Sequence, residues 1–401
     1  MRAYERFLKY IRFDTASREE NPCCPSTEGQ RVFGEALVRE LLDMGIADAR
    51  IDENGYVYAS IPANREAPSI GFIAHMDTVS DVPCMPMRER IIENYDGKDI
   101  ALENGLIIFV EEFPFLKKYA GKTLIVTDGN TILGADDKAG VAEIMTLAEI
   151  LQNDPTIPHG KVCIGFTPDE EIGRGADLFD VESFGADFAY TVDGSEIGEI
   201  NYENFNAASA KAVISGVSIH PGSGKGKLKN AALIAAEFVS LLPSAETPAH
   251  TENYEGFFHL TDMQGETERA ELRYIIRDHD KSRFEQRKAL FHATAGFLNA
   301  KYGEGTVSVS VTDSYFNMKG EILPHRHILE RAEKAYAENG IKSAYKPIRG
   351  GTDGARLTFM GLPCPNLSTA GMNAHGRREC VCVEDMDTMT LVLKSIVTFG
   401  L

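Results

Sequence analysis

Three short apolar runs, at 69–74, 162–166 and 188–192, constrain this chain most. None alternates polar with apolar side chains, and each reads as a short β-strand. Helical periodicity is present at 3–12, at 28–44 and at 137–151, the last running through Val141, Ile144, Leu147 and Leu151. A further strand is expected at 57–61. Strands alternating with helices predict an α/β fold with a mixed, largely parallel sheet.

The pattern changes near residue 207. A strand (207–219), a helix (230–242), two strands (256–262 and 272–278), a helix (283–298) and a strand (307–312) follow in order. This βαββαβ succession predicts a ferredoxin-like unit. It brings its own two helices for one sheet face, so it can stand as a separate domain. We therefore expect residues 207–316 to form an inserted domain within a larger one made of 1–206 and 317–401. Helices at 327–338 and 385–399 resume the first pattern.

Composition narrows the function. Forty-one Lys and Arg against 60 Asp and Glu leave a net charge of −19. That balance argues against nucleic acid and against an anionic membrane surface, both of which need basic residues. No stretch approaches the ~18 apolar residues of a membrane span, and the first residues read as an amphipathic helix, not a signal core. A cytoplasmic location is expected. The seven cysteines are odd in number and lack zinc-ribbon spacing, so they read as reduced thiols. Cys380 and Cys382 alternate with valines, as in a strand.

Five segments gather metal-type ligands, most of them where a strand ends or a helix begins. His75 and Asp77 follow the first apolar run and, two apart, can face one side. One could bind metal while the other orients it. Asp136 and Asp137 open the long helix in Gly134-Ala135-Asp136-Asp137-Lys138-Ala139-Gly140. A carboxylate there caps the helix or, having two oxygens, bridges two cations. Asp169-Glu170-Glu171 follows the second run, and Asp193 ends the third. Adjacent glutamates can divide ligation from base chemistry. His375 lies in Ala374-His375-Gly376-Arg377-Arg378-Glu379. In open α/β sheets, sites form beyond the carboxyl ends of strands, which is where His75, Glu171 and Asp193 fall. Two histidines among carboxylates suit zinc in a two-metal site.

In this order the segments resemble the two-zinc peptidases and aminoacylases, a family that includes carboxypeptidase G and the succinyl-diaminopimelate desuccinylase. The resemblance is closest to the family's tripeptide aminopeptidases. It is carried by Tyr202-Glu203-Asn204-Phe205-Asn206-Ala207-Ala208, Tyr274-Ile275-Ile276-Arg277-Asp278, Pro347-Ile348-Arg349-Gly350-Gly351-Thr352-Asp353-Gly354-Ala355 and the segment 359–367. It implies a metal-dependent aminopeptidase that releases the N-terminal residue of tripeptides. The alternative is another two-zinc amidohydrolase: a dipeptidase, carboxypeptidase or N-acyl amino acid hydrolase.

Residue by residue, the resemblance implies that Asp136 bridges two Zn2+ ions, with Co2+ or Mn2+ as possible substitutes. His75 and Asp193 would complete one site, Glu171 and His375 the other. Asp77 would orient His75, and Glu170 would act as general base. A cis peptide bond is implied at Asp136–Asp137. In the inserted domain, read as a lid that also mediates a homodimer, His220 would reach the developing oxyanion. Arg277 and Arg349 would take the peptide's terminal carboxylate. The family often has a second histidine after the last ligand; here Arg377 and Arg378 stand between His375 and Glu379.

Overall fold

The computed structural model describes residues 1–400, in two compact units. The first comprises residues 1–202, 320–346 and 352–400; the second comprises 203–319 and 347–351.

In the first unit an eight-stranded sheet carries the three apolar runs side by side. Ile70–His75 lies between Val162–Thr167 and Phe188–Gly194 and pairs parallel with both. Every residue of Ile70–His75 and Val162–Thr167 is buried, as the lack of alternation requires. Asn366–Ser368 pairs parallel with Phe188–Gly194, while Val57–Ile61 pairs antiparallel with Val162–Thr167. The sheet is thus mixed with a parallel centre.

The helix Ala135–Asn153 is buried nearly all round, not on one stripe, because Ala3–Tyr10, Val383–Thr398 and the strand Ile70–His75 all pack on it. Its approach to the sheet needs Gly140: a β-carbon there would lie 1.9 Å from the Val192 carbonyl oxygen.

A second sheet of four antiparallel strands was not expected. Its order is Gly371–Met372, Cys380–Cys382, Leu124–Thr127, Glu89–Ile92. Strands of two to four residues are too short to show a period. Its core includes Leu124, Val126, Cys380 and Cys382. The strand expected at Cys380 and Cys382 is its second member.

The second unit is βαββαβ: Asn206–Ser215, Ala231–Leu241, Phe257–Gly265, Arg269–Asp278, Lys281–Tyr302 and Val307–Tyr315. All its strand pairs are antiparallel, and the sheet order is Phe257–Gly265, Arg269–Asp278, Asn206–Ser215, Val307–Tyr315. Alternate side chains, among them Ala208, Ala210, Leu272 and Ile276, pack against Phe238, Phe284 and Phe291 of the helices. The first strand stops at Ser215, short of the expected 219. Gly216 donates to the Glu268 carbonyl (2.7 Å), and Val217 turns to pair with Lys229.

Residues 347–351 join this unit through Arg349. Its Nη1 donates to the carbonyls of Asn253 and Glu255 (2.9 Å each), and its Nη2 to Thr251 Oγ1 (2.9 Å) and the Thr251 carbonyl (3.3 Å). The guanidinium also lies over Phe205 and Phe257.

Candidate metal centre

The parallel strands end on one edge, and the ligand-type residues gather there. His75 closes its strand and is 2% exposed. Its Nε2 faces Asp136 Oδ1 at 2.8 Å and Asp193 Oδ1 at 3.4 Å. Its Nδ1 is held by Asp77, 3.1 Å from the main-chain oxygen and 3.4 Å from Oδ1. A histidine tied at one ring nitrogen presents the other in a fixed direction.

Asp136 stands between two imidazoles. Its Oδ1 meets His75, and its Oδ2 lies 3.1 Å from Nε2 of His375. His375 also faces Glu171 Oε2 at 3.0 Å. The loop joining Gly371–Met372 to Cys380–Cys382 delivers His375, with φ +63°. The Asp136–Asp137 peptide bond is cis.

Asp137 does something different. Its two oxygens accept the N–H groups of His75 (3.1 Å) and Gly140 (3.2 Å), so it ties the strand end to the helix. Asp77, fully buried, accepts the N–H of Glu170 at Oδ1 (3.0 Å) and of Glu171 at Oδ2 (3.1 Å). One carboxylate therefore fixes both the imidazole and the two-glutamate turn.

The electrostatics suit cations. Burial opposes charge on His75, but Asp193, Asp136 and Asp77 outweigh it and hold the imidazole well above its usual range. Hydrogen bonds to the Asp136 and Glu171 carboxylates push His375 up to about 11. Burial pushes Asp193 up to about 6 and Glu171 up to about 7. It also raises Glu170 and Asp137 well above the usual carboxylate range. Cations placed here remove the cost of holding these buried carboxylates ionised. Two triads, His75–Asp136–Glu171 and His75–Asp137–Asp193, have ligand atoms within 4.8 Å of one another. With both Asp137 oxygens engaged by amides, the open donors are His75, Asp136, Asp193, Glu171 and His375. An N/O set of two imidazoles and three carboxylates fits a metal pair.

Two buried carboxylates in the quoted motifs were not singled out from the sequence. Glu379 accepts three amides: Leu133 and Gly134 at Oε2 (2.7 Å each) and Asp136 at Oε1 (3.1 Å). Asp353 is pushed up to about 7 by burial, and its Oδ2 lacks a hydrogen-bond partner. Spacing could not reveal Glu379, whose amides lie some 245 residues upstream.

The other expected residues belong to the second unit. His220 is exposed, and its Nδ1 accepts the Gly222 N–H (3.2 Å). Arg277 lies over the Tyr315 ring and contacts its neighbour's carbonyl at 3.5 Å. Arg349 is committed as described, so a carboxylate could meet only its Nε.

Known proteins resemble this chain along its whole length. Residues 202–306 match the peptidase dimerisation domain family. The chain is 55% identical to "Peptidase T" of Clostridium perfringens, across 99% of this chain and 98% of that protein. Its fold is similar to that of aminopeptidase PepT from Bacillus cereus, with a TM-score of 0.78, 23% identity, and coverage of 99% of this chain and 97% of that one. The YXEP protein of Bacillus subtilis, a dinuclear metal binding peptidase from the M20 family, aligns with a TM-score of 0.63 and 16% identity over 99% and 98% of the two chains.

Proposed function

The chain belongs to the peptidase T family, and from that premise we propose that it is a metal-dependent aminopeptidase removing the N-terminal residue of tripeptides. The observation that carries this reading is Asp136, with one oxygen on each of two imidazole Nε2 atoms at 2.8 and 3.1 Å.

We assign His75, Asp136 and Asp193 to one metal, and Asp136, Glu171 and His375 to the other; zinc is the proposed ion. When bound, such a pair supplies an acidified water and a Lewis acid for the scissile carbonyl. Glu170 takes the proton of the attacking water on its carboxylate and gives it to the nitrogen of the leaving amine. The products are a free amino acid and a dipeptide. Asp77 keeps Glu170 and Glu171 in register through their amides, so one carboxylate ligates while its neighbour stays free for proton transfer.

From the second unit we propose His220 and Arg277 as substrate-binding residues. Arg277 is the better candidate for the terminal carboxylate, because Arg349 spends its Nη hydrogens on the 251–255 loop. The match over 202–306 supports a homodimer. The acidic composition and seven free thiols support a cytoplasmic place of work; among the described residues no helix is long and apolar enough to cross a membrane.

The test is hydrolysis of Met-Gly-Gly and of its N-acetylated form, with metal stripped and zinc then restored. Zinc-dependent release of methionine from the free tripeptide alone is expected. Cleavage of the blocked peptide would move the reading to an acylase or carboxypeptidase. Cleavage of neither would refute the peptidase reading.

A further inference from the structure

Three consecutive amides, those of Asp169, Glu170 and Glu171, each donate to a side chain. Asp77 takes the second and third. Gln30 takes the first, with Asp169 N to Gln30 Oε1 at 3.0 Å. Asp169, fully buried and at φ +58°, is turned away from the ligands, and both its oxygens are used. Oδ1 accepts Ser26 Oγ–H (2.5 Å) and Gln30 Nε2–H (2.7 Å), and Oδ2 accepts the Ser26 N–H (2.8 Å). Gln30 therefore both donates to and accepts from one residue, which an ionised glutamate cannot do. Ser26 Oγ is itself oriented by the Arg18 N–H (2.9 Å).

Gln30 rides on the helix Glu28–Asp43, whose start is fixed: a β-carbon at Gly29 would lie 1.8 Å from the Asp14 carbonyl oxygen. The turn is thus clamped on both sides, by Asp77 toward the ligands and by Ser26 and Gln30 away from them. Only Glu170 and Glu171 have carboxylates pointing elsewhere than into this clamp.

We propose that Gln30 and Ser26 are positioning residues for proton transfer, acting through Asp169 to hold Glu170 in place. This rests on Glu170 being the base. Misplacing a reacting group by ~1 Å costs on the order of 10²-fold in rate, and the clamp prevents displacements of that size.

Gln30→Glu keeps the shape and, once ionised, sets two carboxylates against each other; kcat is therefore read at high pH, where the pair no longer shares a proton. In the double variant Gln30→Glu with Asp169→Asn, the amide of residue 169 donates to the carboxylate of residue 30, and the pairing is rebuilt in reverse. The full-length, zinc-loaded chain is assayed for kcat, KM, bound zinc and Tm, beside Ser26→Ala and Glu170→Ala. With zinc held at saturation, we expect Gln30→Glu to lower kcat about 10²-fold at unchanged KM, the double variant to recover most of it, and Ser26→Ala to lose about tenfold. An unchanged kcat in Ser26→Ala, or a double variant no better than Gln30→Glu, overturns the clamp. If Gln30→Glu does not fold, Ser26→Ala decides alone. An active Glu170→Ala would instead overturn the base assignment beneath it.

Discussion

Replacing Glu379 by glutamine should weaken metal binding without touching a ligand. Its carboxylate accepts Leu133 and Gly134 at one oxygen and Asp136 at the other. Glutamine keeps the size and can keep the first two bonds. Its amide nitrogen then faces the N–H of Asp136 at the present 3.1 Å, donor against donor. A hydrogen bond to a charged group contributes about 1.5–3 kcal/mol. At about 1.4 kcal/mol per factor of ten, zinc affinity should fall about 10- to 100-fold. Groups that orient metal ligands typically cost this much when altered. The assay is a titration of the metal-free protein in zinc buffered by a chelator, read as bound zinc and as turnover of a free tripeptide. Saturating zinc should restore most of kcat. A zinc dissociation constant equal to that of the unaltered chain would rule out this role for Glu379, as would a kcat that stays low at saturation.

Gly140→Ala should lower the urea midpoint, since its β-carbon would sit 1.9 Å from the Val192 carbonyl and 2.5 Å from Asp137 Oδ1; such overpacking costs about 1–3 kcal/mol. Arg277→Ala should raise the KM for a tripeptide with little change in Tm. Arg349→Ala should do the reverse, because it removes four hydrogen bonds to the 251–255 segment; equal effects of the two on KM would contradict this division. Zinc at about a hundredfold excess over its dissociation constant should stabilise the stripped protein by about 2.7 kcal/mol, seen as a higher Tm, and an unmoved Tm would argue against a site in the folded chain.

The parallel centre of the fold was legible because strands buried on both faces leave unbroken apolar runs, and His75 and Asp193 were legible because each terminates such a run. The long helix was legible in place but not in burial: its stripe of Val141, Ile144, Leu147 and Leu151 says nothing of Ala139 and Ala142, which are buried too. The small antiparallel sheet was not legible, because Gly371–Met372 and Cys380–Cys382 carry too few residues for a period. Asp77 was legible beside His75, but Glu379, Gln30 and Ser26 were not: their partners, the amides near Asp136 and the Asp169 turn, lie far along the chain and leave no mark in local spacing. Arg349 shows the converse: a motif arginine whose charge suggested a substrate carboxylate spends its Nη hydrogens on the distant 251–255 segment.

Asp136 is expected to join two metal ions, one held with His75 and Asp193, the other with Glu171 and His375. Anomalous diffraction at the zinc edge from crystals of the zinc-loaded chain tests it directly. Two peaks about 3.5–4 Å apart are expected, with one Asp136 oxygen on each. A single peak, or a pair in which Asp136 touches only one ion, would contradict it.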